Sequence, residues 1–278
     1  MRAVLAAISL CALTLSVTAC GERAEPTGPA AGFYPVTVTG ANGSSTRLES
    51  PPRRILAIGP DMAATLAGLG VGGRTVSGTA DAAGDDFDLV AVWASNQDAN
   101  ALSQRPAGAA PAYVAADRTI AAVERSLADL GVLVGRPLQG RGLVTKVERD
   151  IRTTQRHLQN ERSVPVFLDT GLFIPVSGAS LRGNILSLAG GENIARRAPQ
   201  GRPFDLRELE RLDPRYYLAT SDSGTTLEQL QHNPATKRLG AVRAKRFATI
   251  SSRLLQPGPQ VGAGVVRIAR ILHPDAFR

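Results

Sequence analysis

Residues 138–160 read LQGRGLVTKVERDIRTTQRHLQN, and this stretch decides the fold. It holds no proline, and its only glycines are Gly140 and Gly142. Leu143, Val147, Ile151 and Leu158 recur at helical spacing. A helix of about 20 residues is about 30 Å long, enough to cross from one lobe of a protein to another. The sequence on its two sides has one character: short β-branched runs alternate with helical segments, stop at the stretch, and restart beyond it.

On the N-terminal side, Phe33 to Thr39 followed by Asn42-Gly43 signals a hairpin whose partner strand lies near Thr46-Arg47-Leu48. Arg54 to Ile58, Thr75 to Gly78, Leu89 to Trp93 and Ala112 to Ala115 read as strands. Asp61 is a plausible cap for a helix from Met62 to Leu69. Asp117 or Thr119 caps a helix from Ile120 to Leu130, which Gly131 ends. On the C-terminal side, strands are expected at Val164 to Leu168, Tyr216 to Thr220 and Arg246 to Ile250. Helices are expected at Gly183 to Ala189, Leu227 to Leu230 and Val261 to Leu272. Strands alternating with helices imply parallel sheets. The expected architecture is α/β: two α/β lobes with central sheets, residues 33–137 and 162–278, joined by one long interlobe α-helix at 138–161. The ligand cleft lies between the lobes.

The first 32 residues read differently. Met1-Arg2 precedes an apolar run from Ala3 to Val17, and Val17-Thr18-Ala19-Cys20-Gly21 closes it. A charged start, a short apolar core and small residues before a cut site describe a secretory signal. The run of about 15 residues is shorter than a membrane-spanning helix requires. Its end resembles the bacterial lipobox, which implies residues 1–19 as signal peptide and Cys20 as a lipidated mature N-terminus. An ordinary signal peptide with an incidental cysteine is the alternative. The other cysteine, Cys11, lies within the signal, so the mature chain has no disulfide. Residues 20–32, rich in Gly, Pro and Ala, read as a tether. The protein is therefore expected to be exported and lipid-anchored, facing the outside of the cytoplasmic membrane.

Composition narrows the function. Hydrophobic residues make up 43%, which suits a packed core. The net charge is +8, carried by arginine, since the lysines are only Lys146, Lys237 and Lys245. The arginines are scattered, and no basic run is interleaved with aromatics, so nucleic acid is not an expected partner. Catalysis lacks its parts: there is no Gly-x-Ser-x-Gly elbow and no phosphate-binding loop. His157, His232 and His273 are far apart in sequence, so no metal site is expected.

The order of several short segments then resembles a family, the periplasmic binding proteins of iron-siderophore, haem and cobalamin ABC importers. Pro52-Arg53-Arg54-Ile55, Leu69-Gly70-Val71 and Asp88-Leu89-Val90 carry the resemblance in the first half. Gly190-Gly191-Glu192-Asn193, Leu239-Gly240-Ala241-Val242, Pro257-Gly258-Pro259 and Leu272-His273-Pro274-Asp275-Ala276-Phe277 carry it in the second. The resemblance implies a monomeric receptor that needs no cofactor, is not an enzyme, and delivers a small metal chelate to an ABC permease and its ATPase. A ferric siderophore is the leading ligand, and cobalamin or haem the alternative. It also implies docking on the permease through one glutamate on each lobe. The segment that would carry the first is shortened to Thr79–Phe87. The place of the second holds Arg207, leaving its neighbour Glu208 as the docking candidate. An envelope lipoprotein that kept the fold and lost permease coupling is the further alternative.

Ligands of open α/β sheets sit beyond the carboxyl ends of the strands. The loops expected there are Gly59 to Met62, Thr79 to Asp81 and Trp93 to Ser95 in the first lobe. In the second they are Thr170 to Phe173, Ser221 to Ser223 and Ser251 to Arg253. Trp93 reads either as a face for a flat ligand or as a core residue. Arg182 and Arg253 read as clamps on an anionic chelate or as solvated surface arginines. Asp61 reads first as a helix cap and second as a ligand contact. Phe173 is a further packing contact for ligand.

Overall fold

The structure, a computed structural model, describes residues 33–84, 86–102, 108–199 and 201–278. Cys20 and the signal and tether lie outside the described residues. In chain order the strands are β1 (Val36–Thr39), β2 (Ser45–Leu48), β3 (Ile55–Ile58), β4 (Thr75–Gly78), β5 (Leu89–Trp93), β6 (Ala112–Ala115), β7 (Val164–Asp169), β8 (Gly191–Asn193), β9 (Tyr216–Thr220) and β10 (Phe247–Ile250). The helices are α1 (Pro60–Gly68), α2 (Ala99–Leu102), α3 (Ile120–Leu133), α4 (Pro137–His157), α5 (Leu181–Leu188), α6 (Leu206–Leu212), α7 (Leu227–His232), α8 (Gly240–Arg243) and α9 (Val261–Leu272).

Two four-stranded sheets form, ordered β4-β3-β5-β6 and β10-β9-β7-β8, and every pairing within them is parallel. The β1–β2 hairpin is antiparallel, with Val36 opposite Leu48. Central strands covered on both faces read as continuous apolar runs, and β3 and β5 are buried at every residue. In each sheet the connections leave in opposite directions at one place, between β3 and β5 in the first and between β7 and β9 in the second. Those two switch points, each beyond strand carboxyl ends, are where such folds place ligands.

Helix α4 lies between the sheets in sequence and packs against α3 on one side and α9 on the other. Val147 and Thr154 are fully buried, and Leu143, Ile151 and Leu158 pack partly buried against the core. It begins at Pro137, a first-turn position where the missing N–H costs nothing. Its approach to α3 is close because glycines meet: a Cβ on Gly131 would lie 2.9 Å from the Cα of Gly140. That contact corrects one expectation. Gly131 does not end α3, which runs on to Leu133; the glycine is there to let two helices touch.

Two caps also differ. Helix α1 starts at Pro60 with Gly59 at the cap position in the left-handed region (φ 86°), so Asp61 sits in the first turn. An acidic residue there still complements the helix dipole. At α3 the cap is Thr119, whose side chain accepts from the Ala122 amide, while Asp117 is engaged elsewhere. The lobes are joined again by a side chain: the Ile120 amide, at the start of α3, donates to Asn184 Oδ1 of α5 at 2.9 Å.

Candidate functional site

A cavity of about 670 Å³ opens between the lobes, within the usual range for small-molecule sites. The first lobe contributes Ala94, Ser95, Asp117 and Arg118, the residues just past the carboxyl ends of β5 and β6. The second contributes Thr170, the segment around Ile174 to Arg182, and Leu255 to Pro257. The cavity therefore lies beyond the carboxyl ends of β5, β6 and β7, one strand of each switch pair among them, while the loops after β3 and β9 stay outside its lining.

Each wall has a local cause. In the first lobe Asp117 is 3% exposed, and its carboxylate accepts from the Ser95 amide at 2.8 Å. That bond ties the loop after β5 to the loop after β6. In the second lobe Ser180 caps α5 by accepting from the Gly183 amide. The start of α5 and the half-buried Arg182 therefore face the cavity together. A helix N-terminus and a guanidinium both favour negative charge.

The loop after β7 is fixed from below. Asp169 is fully buried, and its carboxylate accepts from the Gly171 amide, the Tyr217 hydroxyl and the Thr225 hydroxyl, each at 2.8 Å. The Tyr217 hydroxyl titrates far above its ordinary value, through burial and the adjacent Asp169 charge. It therefore stays protonated and donates to Asp169.

Three of the residues expected from sequence are near enough for their charges to act on one another, although only Arg182 of the three lines the cavity. Asp61, in the first turn of α1, has its carboxyl pushed up by burial, and the nearby charges of Arg253 and Arg182 act against that rise. Asp222, beyond β9, feels Arg182 as well. Burial pushes the Asp222 carboxyl up, but hydrogen bonds led by one from Ser252, with the charge of Arg182, leave it below its ordinary value. Ser221 and Ser252 join the two neighbouring loops at 2.9 Å. Arg253 is exposed, and Arg182 lines the cavity itself.

The other chosen residues lie elsewhere. Trp93 is 2% exposed and packs in the core with Leu89 and Ala91. The last residue of a central strand keeps the pleat parity of its neighbours two and four places back. Its ring therefore turns into the lobe, and the next residues, Ala94 and Ser95, reach the cavity. Phe173 packs partly buried on the second lobe's own cluster. Glu208 stands in the first turn of α6, where it binds Arg211 through both carboxylate oxygens and its carboxyl titrates below the ordinary value. The loop from Thr79 to Asp81 follows β4, an edge strand away from the switch point, and does not line the cavity. Asp117, Arg118 and the segment Ser177–Ser180 were not anticipated. Their only sequence signal was a polar run after an apolar one.

The sequence signature described as Periplasmic binding protein matches residues 88–254, more than half of the chain. The chain belongs to this family. No curated protein sequence matches it. Among solved structures, Helicobacter pylori CeuE in a nickel–histidine complex has 15% identity and a TM-score of 0.74. The alignment covers 87% of this chain and 89% of that one. The periplasmic haem-binding protein RhuT from Roseiflexus sp. RS-1 has 18% identity and a TM-score of 0.70, over 81% and 99% of the two chains. A possible iron-binding periplasmic protein from Staphylococcus epidermidis has 15% identity and a TM-score of 0.67, over 81% and 100%. At such identities the structures speak for the fold.

This periplasmic binding protein is thus a solute-binding receptor and not an enzyme. Receptors of its family work outside the cytoplasm with an ABC permease and an ATPase, and their small ligands are cargo and not cofactors. Among the described residues no helix is long and apolar enough to cross a membrane. Among them, too, no group of three His, Cys, Asp or Glu side chains is placed to hold a metal ion.

Proposed function

We propose that this chain is the lipid-anchored, monomeric receptor of an ABC importer, and that it captures a ferric siderophore or a similar anionic chelate whole. The observation that carries this reading is the interlobe cavity with Arg182 in its wall, and with Arg253 outside the lining but near enough to act with Arg182 on the charge of Asp61. A metal that arrives already coordinated needs charge and shape from the protein, and no ligand atom. The cavity agrees: its described lining contains no His, Tyr, Cys or Met, and its one carboxylate, Asp117, is engaged with the Ser95 amide. Several solved relatives in fold are named as haem-binding, and haem is the alternative cargo. The absence of such a side chain in the described lining favours the pre-formed chelate over a haem held through its iron. Glu208 would meet the permease, although its pairing with Arg211 leaves it less free to do so.

The test is calorimetry of the protein against a ferric tris-catecholate, haemin and cyanocobalamin, with the fluorescence of Trp93, the sole tryptophan, followed in parallel. Trp93 lies one residue from the cavity lining, so a coloured chelate bound there would quench it. Saturable binding of the ferric chelate with quenching is expected. Binding of haemin alone, with the absorbance change of axial ligation, would replace this reading with the haem one. Binding of none of the three would leave the scaffold reading.

A further inference from the structure

The second-lobe rim of the cavity carries a strained tip. Gly171, Leu172 and Phe173 have φ of 119°, 53° and 60°, three residues in succession at positive φ. For Gly171 this conformation is free, but for the two residues after it the left-handed region is disfavoured. Such strain persists only where the surroundings over-determine it. Here they do. Thr170 donates to the Ile174 carbonyl through its amide at 2.8 Å and its hydroxyl at 2.9 Å, and Ile174 donates back to the Gly171 carbonyl at 2.9 Å. Below, buried Asp169 holds the Gly171 amide.

Phe173 gains core packing from its place, and its carbonyl accepts from the Phe204 amide at 2.9 Å. Leu172 gains nothing within the chain. It is 79% exposed, the most exposed large apolar side chain among the described residues. It stands between Thr170 and Ile174, both of which line the cavity. An exposed leucine alone is ordinary. An exposed leucine held in a disfavoured conformation, on a turn whose two ends line a cavity, asks for a function. Much of the wall beneath it is apolar, formed by Ile174, Pro175, Val176, Leu181 and Leu255, and Arg182 is the cation on that side.

We infer that Leu172 is a specificity-determining contact of this cleft, covering the apolar body of an amphipathic anion whose charged end is held by Arg182. The inference rests on the reading of the cleft as the solute site and adds the shape of the solute's apolar part.

The probe is 8-anilinonaphthalene-1-sulfonate, a sulfonate on an apolar aromatic body. It is titrated by fluorescence into the full chain carrying Cys20→Ser, with Leu172→Ser, Leu172→Gly and Leu172→Met compared. One saturable site is expected in the parent. Leu172→Ser and Leu172→Gly should weaken it about tenfold, the scale of losing one apolar side-chain contact, and Leu172→Met should retain it. Melting supplies the second arm. Serine and glycine remove the same contact, but only glycine adopts the left-handed conformation freely, so Leu172→Gly should melt above Leu172→Ser. No saturable site in the parent, equal binding by the serine variant, or a glycine variant melting below the serine one overturns the inference. If a ferric chelate binds and is indifferent to Leu172, the inference falls and the receptor reading stands. If the sulfonate binds through Leu172 and no chelate binds, the chelate reading falls and the inference stands.

Discussion

Arg182 and Arg253 differ in what surrounds them, and their variants should differ accordingly. A hydrogen bond to a charged group contributes about 1.5–3 kcal/mol, or about ten- to a hundredfold in dissociation constant. Arg182 is half-buried in the cavity wall, so Arg182→Ala should lose a ferric tris-catecholate by that factor. Arg253 is exposed, so solvent and salt screen it, and Arg253→Ala should lose less and lose it mostly at low ionic strength. Calorimetry at two salt concentrations checks both, and equal binding by both variants would return the arginines to the surface class. Asp61 gives a pH test. Its folded-state pKa lies above the ordinary 3.8, chiefly through burial. The folded protein therefore holds that proton more tightly than the unfolded chain, and stability falls as pH rises from 3.8 through the raised value. Asp61→Asn should melt with the parent below that window and above it at higher pH. Arg182, the second residue of α5, was not legible from loop positions, whereas the places of Asp61 and Arg253 were, because strand ends are readable. The direction of Trp93 was not, because pleat parity at a strand's last residue depends on which face its neighbours cover.

At the scale of elements, α9 and every described strand but β8 were readable from apolar runs and periodicity, since central strands and a well-patterned helix bury their residues in a regular order; β8, Gly191-Glu192-Asn193, has no apolar run to read. Helix ends were less readable. Gly131 has the residue type of a terminator, yet it sits within α3 because Gly140 of α4 lies against it, a contact that no local pattern contains. Gly140→Val tests that packing. A Cβ there would stand 2.9 Å from the Leu127 carbonyl oxygen and 3.1 Å from the Cα of Gly131. Overpacking of this kind costs about 1–3 kcal/mol, which denaturant unfolding would register as a lower midpoint. The Asn184 contact was equally invisible, since it joins the second lobe to a backbone amide of the first. Asn184→Ala leaves the Ile120 amide without its side-chain partner and should cost about 0.5–1.5 kcal/mol. An unchanged midpoint would mean that water replaces the amide group without loss.

The whole molecule is a cleft between two parallel sheets, with α4 as a stiff spine that α3 and α9 grip from both sides. A receptor of this build does its work only where its permease is, so how it is held near the membrane matters as much as what it binds. Among the described residues no helix is long and apolar enough to cross a bilayer. The reading of Val17 to Cys20 as a lipobox supplies an anchor instead. One acyl chain binds a membrane only marginally, while two hold durably, at about 0.8 kcal/mol for each buried methylene. The diacylglyceryl group expected on Cys20 has two. Residues 21–32 then separate the lipid from the hairpin that opens the first lobe; at about 3.3–3.6 Å per residue, twelve residues reach at most about 43 Å. Cys20→Ser should accordingly move the protein from the membrane fraction to the soluble fraction without altering its binding of a ferric chelate or of the sulfonate probe, since the cleft owes nothing to the anchor. Fractionation with calorimetry on the released protein checks both halves. Retention of the serine variant in the membrane fraction would mean that another part of the chain holds it there, and that the lipobox reading is wrong.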